Sequence, residues 1–421
     1  MSRQLTIIAI SAVMGTLFLS SHANAKQFKL EADMDPLINL PNAYQLKPED
    51  LERIYPKGNF QTNPYFEWLT SKKERAIFKR SPAENVEVKL TILEGSVPIE
   101  EVIVDFNNGE FLGVTISLFN TGDSQQISSE EFAQRFRATG EFLNTQLDAK
   151  PRRRQGHIKK GVMTHGYVWS SPRGKAVLLC NPDIEDPFKP ARMEFMRMRL
   201  ARKEAGGIYA AALQSRSQAT VRKSRLAQNL RKSDGNVFIK DIPMVDQGNK
   251  GYCVVASIQR LFEYYGIACD MHQLAQLAKS DPERGTDVLY INQQLGSIDY
   301  LFKTRYKCLA VSHEGRLVQL KDDRFVGRDI PFRSYYKLIT QHIDDGIPLL
   351  WAMELGLKPE EPEINQQARG GHMRIIIGYN EKDKKIIFTD SWGAGHEYKT
   401  MDAEDSIEVT RGLFVLLPTV N

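Results

Sequence analysis

A cysteine at the start of a predicted helix is the first residue in this sequence that could do covalent chemistry. The segment from Pro243 to Gly266 begins as a polar, glycine-containing loop and continues from Cys253 with apolar residues at helical spacing. Unpaired N–H groups and the positive end of the helix dipole favour a thiolate at this junction. Gln247, six residues earlier, can donate a hydrogen bond to developing negative charge. The stretch predicts a nucleophile with an oxyanion donor, although a lone cysteine here is also compatible with a structural core residue.

A histidine and an aspartate occupy the outer ends of a predicted hairpin. Apolar strands at 373–379 and 385–390 flank a short polar turn; His372 precedes the first strand and Asp390 ends the second. Antiparallel strands joined by a short loop place their outer ends side by side. A carboxylate on one ring nitrogen fixes the tautomer and raises basicity, so the other nitrogen can take the thiol proton. The hairpin therefore predicts the base and its orienting partner.

These residues lie in three blocks that resemble papain-like cysteine peptidases, in that family's order. The block QGNKGYCVVAS from Gln247 is similar to the family's glutamine-to-cysteine block, with the six-residue spacing kept. HMRIIIGY from His372 and DSWGAG from Asp390 are similar to its histidine and asparagine blocks. His372 follows Cys253 by 119 residues (372 − 253) and Asp390 follows it by 137 (390 − 253), near the roughly 130–150 residues of papain-type enzymes.

The resemblance implies a role for each matched residue. Cys253 would be the nucleophile, His372 the general base and acid, Asp390 the orienting residue and Gln247 the oxyanion donor. Trp392 matches the tryptophan that shields the family's histidine. The implied activity is hydrolysis of peptide bonds through a thioester, with a peptide or protein as substrate and with no metal or organic cofactor.

The sequence also departs from the papain pattern. Asp390 stands in place of the usual asparagine, as in the bacteriocin-leader-processing peptidases and related bacterial domains. Lys250 replaces a disulfide cysteine, and Val254 replaces the tryptophan after the nucleophile. Two other functions stay open at this point. An amine could resolve the same thioester, giving an acyltransferase or transpeptidase, or the domain could be a non-catalytic peptide-binding scaffold.

The length of the chain and its N-terminal segment indicate how many domains it has and where it is located. A chain of 421 residues is too long for one ordinary core, and its net charge of +4 indicates no particular partner. Residues 1–25 have the pattern of a signal peptide, with a cleavage site at Ala23-Asn24-Ala25. We expect export to the periplasm or the extracellular space, with no membrane-spanning run beyond residue 25. Pairing of Cys269 with Cys308 is left open.

The periodicity predicts an α+β fold in two domains. Residues 26–205 are expected to form an N-terminal α+β domain with a mainly antiparallel sheet, including strands from Val86 and Val102, a helix opening at Ser128 and another helix near 66–79. Residues 206–238 are predicted to be a basic helical linker. Residues 239–421 correspond to the papain-like domain, in which the cysteine helix packs on an antiparallel sheet carrying His372 and Asp390.

The residues of the N-terminal domain show no resemblance to a known family. The domain contains no nucleophile–base pair or metal-ligand spacing. Three roles stay open for it: an inhibitory pro-region, a module that recruits substrate, or a domain that binds a protein partner. Nucleic acid is not expected as a partner, because the basic segment after Tyr209 lacks interleaved aromatic residues.

Overall fold

The computed structural model describes residues 28–82, 85–155, 164–181, 193–214, 218–248, 250–280, 285–286, 295–296, 299–319, 328–363 and 370–420. The predicted signal peptide at 1–25 lies outside the described residues. From the apolar spacing after Asp287 we also expect a helix, and most of that segment lies outside the described residues as well. The described chain is α+β, as predicted.

The N-terminal half is built on sheets. Its described strands are β1 (Phe28–Asp33), β2 (Phe66–Trp68), β3 (Arg75–Lys79), β4 (Val86–Ile92), β5 (Val97–Ile99), β6 (Glu101–Asn107), β7 (Glu110–Asn120), β8 (Arg152–Gln155), β9 (His165–Ser171), β10 (Gly174–Cys180) and β11 (Phe195–Ala201). They form an eight-stranded antiparallel sheet in the order β2-β3-β6-β7-β11-β10-β9-β8, and a smaller sheet, β1-β4-β5, in which β1 and β4 are parallel.

The described residues of this half also contain three α-helices. They are α1 (Pro48–Ile54), α2 (Ser129–Leu147) and α3 (Gly207–Ala212). The hydroxyl of Ser128 accepts a hydrogen bond from the N–H of Glu131 at 3.1 Å, so α2 begins at the predicted cap. Its buried Phe132 and Phe136 lie on the side that packs against β9 and β10.

The helix predicted near 66–79 is wrong. The segment is the hairpin β2–β3, and Phe66 pairs with Phe78 across it, with ring centroids 5.1 Å apart. The N–H of Lys73 donates to the carbonyl of Thr70 at 3.0 Å, which closes a turn between the strands. Cross-strand aromatic packing outweighed the helical spacing of the apolar residues.

The C-terminal half carries a second sheet. Its described strands are β12 (Leu230–Ser233), β13 (Asn236–Ile239), β14 (Thr304–His313), β15 (Arg316–Val318), β16 (Leu349–Leu355), β17 (Gly370–Asn380), β18 (Lys385–Thr389), β19 (Lys399–Asp402) and β20 (Thr410–Pro418). The sheet order is β12-β13-β17-β16-β20-β14-β15, and β18 and β19 extend from β17. The predicted hairpin is therefore β17–β18.

Four helices of the described chain lie in this half: α4 (Cys253–Tyr264), α5 (Met271–Ala278), α6 (Phe332–Asp344) and α7 (Ala403–Val409). Both α4 and α6 pack against β17. Cys269 and Cys308, both described, are not joined by a disulfide. None of the helices in the described ranges combines the length and hydrophobicity that crossing a membrane requires.

The segment at 206–238 is not the helical linker that its composition predicted. It contains α3, a 3-10 helix (Lys223–Asn229), β12 and most of β13. Val237 and Ile239 of β13 are buried, and β13 pairs antiparallel with β17. The alternating apolar residues at its end thus extend the C-terminal sheet, while the basic residues do not share one helix.

A buried arginine fastens the cysteine helix to the end of the hairpin. Arg260 of α4 is 1% exposed. Its guanidinium donates to the carbonyl of Pro243 at 2.7 Å, to the carbonyl of Asp390 at 2.6 Å and to the hydroxyl of Thr389 at 2.6 Å. The helix, the loop before it and the outer end of β18 are therefore held together by one side chain.

We expect Arg260→Met to destabilise the protein by roughly 3 kcal/mol or more, because three oxygen atoms, two of them in buried hydrogen bonds, lose charged donors. Chemical unfolding followed by tryptophan fluorescence measures the change. The control is Arg225→Met, which replaces an exposed arginine and should shift the free energy of unfolding by less than about 0.5 kcal/mol. Equal midpoints for the two variants would contradict this structural role.

Candidate active site

Cys253 is the first residue of α4 and is 4% exposed. Tyr252, the residue before it, provides no side-chain cap, so the first N–H groups of the helix have no partner from a capping side chain. These N–H groups and the helix dipole favour negative charge at this end of the helix. The thiol thus lies where the sequence predicted it, at a loop-to-helix junction.

His372 and Asp390 meet at the outer end of the β17–β18 hairpin. Ile375 pairs with Thr389 across the two strands, and His372 and Asp390 lie beyond this pair. His372 Nε2 is 2.6 Å from Asp390 Oδ1, and both side chains are buried. Since Nε2 is occupied by Asp390, Nδ1 is the ring nitrogen left to accept the proton of the Cys253 thiol.

The surroundings of His372 favour its protonated form. Burial lowers the pKa of the imidazole, but the charges of Asp390 and Cys253 and the hydrogen bond to Asp390 outweigh burial and raise the pKa to about 9. Burial raises the pKa of the Asp390 carboxyl, but the charges of His372 and Arg374 outweigh burial and hold that pKa below its usual range. An imidazolium can therefore persist at neutral pH beside the thiol, which is the condition for an imidazolium–thiolate pair.

A buried arginine that the sequence analysis missed completes the setting of Asp390. Arg374 Nε donates to Asp390 Oδ2 at 2.8 Å, and its Nη1 donates to Glu360 Oε2 at 2.5 Å. Lys399 also contacts the Glu360 carboxylate. Asp390 Oδ1 additionally accepts from the N–H of Ser391 at 3.0 Å. Both carboxylate oxygens of Asp390 are thereby held.

A signal for this arginine was present in the sequence. Arg374 interrupts an otherwise apolar strand that begins at Met373. A charged residue in a buried strand requires an oppositely charged partner, since an unpaired buried charge is costly. Its partner Glu360 lies 14 residues earlier, outside the three motif blocks.

Trp392 covers one face of the histidine. Its ring is stacked on that of His372, with centroids 4.5 Å apart and an interplanar angle of 27°. The Arg374 guanidinium lies 5.8 Å from the tryptophan ring. This placement agrees with the shielding role that the motif implies for Trp392.

Gln247 lies on the loop before α4. Its backbone N–H donates to the carbonyl of Ser391 at 2.9 Å, which joins this loop to the segment after Asp390. The side-chain Nε2 donates to the carbonyl of Lys250 at 3.2 Å, and because Nε2 carries two N–H groups, one is left for a substrate oxygen. Oε1 is buried without a hydrogen-bond partner among the described residues.

Residues 239–410 match the family model described as Peptidase_C39 like family. This part of the chain is a peptidase C39-like domain. The match indicates a cysteine peptidase-type function for it. No curated protein matches the chain by sequence. Among solved structures, the chain is similar to xylellain, a cysteine protease from Xylella fastidiosa, at 11% identity and a TM-score of 0.28, over 49% of this chain and 92% of that one.

His372 couples the stability of the C39-like domain to pH. Its pKa rises from an ordinary 6.5 to about 9 on folding. The stabilisation from protonated His372 is therefore fully present below pH 6.5 and is lost as the pH rises to about 9. We expect wild type to exceed His372→Gln in free energy of unfolding by a margin that shrinks between pH 6.5 and 9.5. Urea titrations at several pH values test this, and a constant margin would contradict it.

Proposed function

We propose that the C39-like domain is a peptidase that cleaves peptide bonds with Cys253 as nucleophile, His372 as general base and acid, and Asp390 as orienting residue. The observation that supports this most strongly is the position of His372. Its imidazole is hydrogen bonded to Asp390 at 2.6 Å through Nε2, and Cys253 is close enough for its charge to contribute to the raised pKa of the imidazole. A nucleophile, a base and an orienter in this relation form the constellation of nucleophilic acyl transfer.

The reaction follows from the protonation states. The imidazole holds the thiol proton, and the thiolate attacks the carbonyl carbon of the scissile peptide bond. The backbone N–H of Cys253 and the side-chain amide of Gln247 stabilise the oxyanion, each donor contributing roughly 10²–10³ in rate. The imidazolium then protonates the leaving amine as the C–N bond breaks. Water, deprotonated by the same imidazole, hydrolyses the thioester and releases the acid product.

Arg374 has an indirect part in this mechanism. Its guanidinium donates a hydrogen bond to Oδ2 of Asp390, the carboxylate oxygen that His372 does not contact. The carboxylate therefore stays ionised, and an ionised Asp390 stabilises the imidazolium that forms when the thiol gives up its proton. Glu360 holds the far side of the same guanidinium and limits the positions it can adopt.

We expect Cys253→Ala to abolish hydrolysis of a fluorescently labelled unfolded protein, because no other side chain of the proposed site can form the thioester. A vinyl-sulfone or epoxide peptide should label wild type at Cys253. Cys308→Ala is the matched control, since this half-buried cysteine lies in β14, and it should keep both activities. Hydrolysis that survives Cys253→Ala would rule out the proposed nucleophile.

We further propose that the chain works outside the cytoplasm after removal of residues 1–25. An apolar run followed by Ala23-Asn24-Ala25 supports this. We expect the protein recovered from the periplasm or medium of an expressing bacterium to begin at Lys26, as read by N-terminal sequencing. Ala23→Asp should block the cleavage and retain the full-length form. A cytoplasmic protein that begins at Met1 would contradict export.

A further inference from the structure

The loop that carries Gln247 is held by side chains of the N-terminal half of the chain. We call residues 243–248 and 250 the oxyanion loop. Asp246, directly before Gln247, contacts the ammonium of Lys79 on β3. Lys250, three residues after Gln247, forms an ion pair of 2.5 Å with Asp123, which follows β7. Two ion pairs from the N-terminal half therefore flank the predicted oxyanion donor.

The first ion pair acts on the backbone of the loop. Asp246 Oδ1 accepts a hydrogen bond from the N–H of Gly248 at 2.9 Å, so this carboxylate bends the chain around Gln247. Lys79 also contacts Glu67 at 2.6 Å. Burial lowers the pKa of Lys79, but the two carboxylates outweigh burial and raise the pKa, so the lysine stays charged. Only 7% of the Asp246 side chain is exposed, which reduces screening of the pair by water.

The second ion pair acts on the side chain of Gln247. Lys250 presents its carbonyl to Gln247 Nε2 at 3.2 Å and its ammonium to Asp123. The residue that Asp123 holds is thus the residue that orients the glutamine amide. The exposed fractions of the Lys250 and Asp123 side chains are 12% and 29%, so the pair is partly shielded from solvent.

The start of the loop is held by β3 as well. Arg75 Nη1 donates to the carbonyl of Met244 at 3.0 Å and to Glu263 of α4 at 2.9 Å. The Met244 side chain packs with Leu69 and Ile77 in a small apolar cluster. Leu69 also lies against Gly393, where an added Cβ would come within 3.4 Å of its methyl carbon. The N-terminal half thus touches the loop before α4 and the segment after Trp392.

We propose that the N-terminal half positions the oxyanion loop, with Lys79 and Asp123 as positioning residues for Gln247. This inference rests on the proposed peptidase function. Side-chain contacts from the other half supply much of the restraint, because the oxyanion loop lies between β13 and α4 and belongs to neither. The N-terminal half is then an integral part of the catalytic unit, and its removal lowers peptidase activity instead of releasing it.

A charge swap in the full chain tests the proposal. We expect Asp123→Lys to lower kcat by about tenfold or more, toward the loss that follows removal of an oxyanion donor. KM and the rate at which iodoacetamide alkylates Cys253 should change little, because alkylation forms no oxyanion. Asp123→Lys combined with Lys250→Asp should restore kcat to within about threefold of wild type. Failure of the swap to restore kcat would overturn the proposal.

Two controls separate positioning from general damage to the fold. In a Gln247→Ala background, Asp123→Lys should lower kcat no further, because both changes remove the same donor. An equal loss in that background would overturn the proposal. Glu31→Lys disrupts the exposed ion pair of Glu31 with Lys89, at 3.4 Å, and should leave kcat within about twofold of wild type.

Hydrogen exchange provides a readout that needs no catalysis. The N–H of Gln247 is protected by its hydrogen bond to the carbonyl of Ser391. We expect Asp123→Lys to speed exchange in a peptide covering 244–248 by about tenfold, and the swap to restore the protection. Unchanged exchange would overturn the positioning role. A wild type that hydrolyses no peptide, with exchange that responds as expected, would contradict the peptidase proposal alone.

Discussion

The candidate site depends on the two contacts that the carboxylate of Asp390 makes with His372 and Arg374. One of its oxygens holds His372 at 2.6 Å and the other accepts from Arg374 at 2.8 Å. Because the carboxylate is fully buried, neither contact is weakened by water. The negative charge raises the pKa of His372, and the positive charge of Arg374 keeps the carboxylate ionised. The protonation state of the imidazole is thereby set by a chain of charges that ends at Glu360 and Lys399.

Two elements of the fold, the β17–β18 hairpin and α4, bring these charged groups and the thiol together. The β17–β18 hairpin places His372 beside Asp390 because both lie past the last strand pair. Helix α4 packs on β17, and Ser257 donates to the carbonyl of Met373 at 3.2 Å, which fixes the helix against the strand next to the histidine. Arg260 joins the same helix to the end of β18. The relative position of sulfur and imidazole is thus determined by sheet register and by two side chains of one helix.

Much of this arrangement could be predicted from local sequence. The hairpin, the helix that begins at Cys253 and the order of the three motif blocks are encoded by periodicity and by spacing within short segments. The Arg374–Glu360–Lys399 cluster could not be predicted, because its members come from three separate segments and no spacing links them. The helix near 66–79 was wrong for a related reason: pairing of Phe66 with Phe78 depends on a turn, which the apolar pattern alone does not reveal.

Ion pairs between the two halves determine what a cut near Arg222 would do to the molecule. Arg197 of β11 forms a buried ion pair of 2.8 Å with Asp270, and Arg75 of β3 forms one of 2.9 Å with Glu263 of α4. A protease that nicks the chain near Arg222 would leave both contacts between the fragments intact. The two fragments would stay associated as a noncovalent complex, so severing the backbone there is not equivalent to separating the halves.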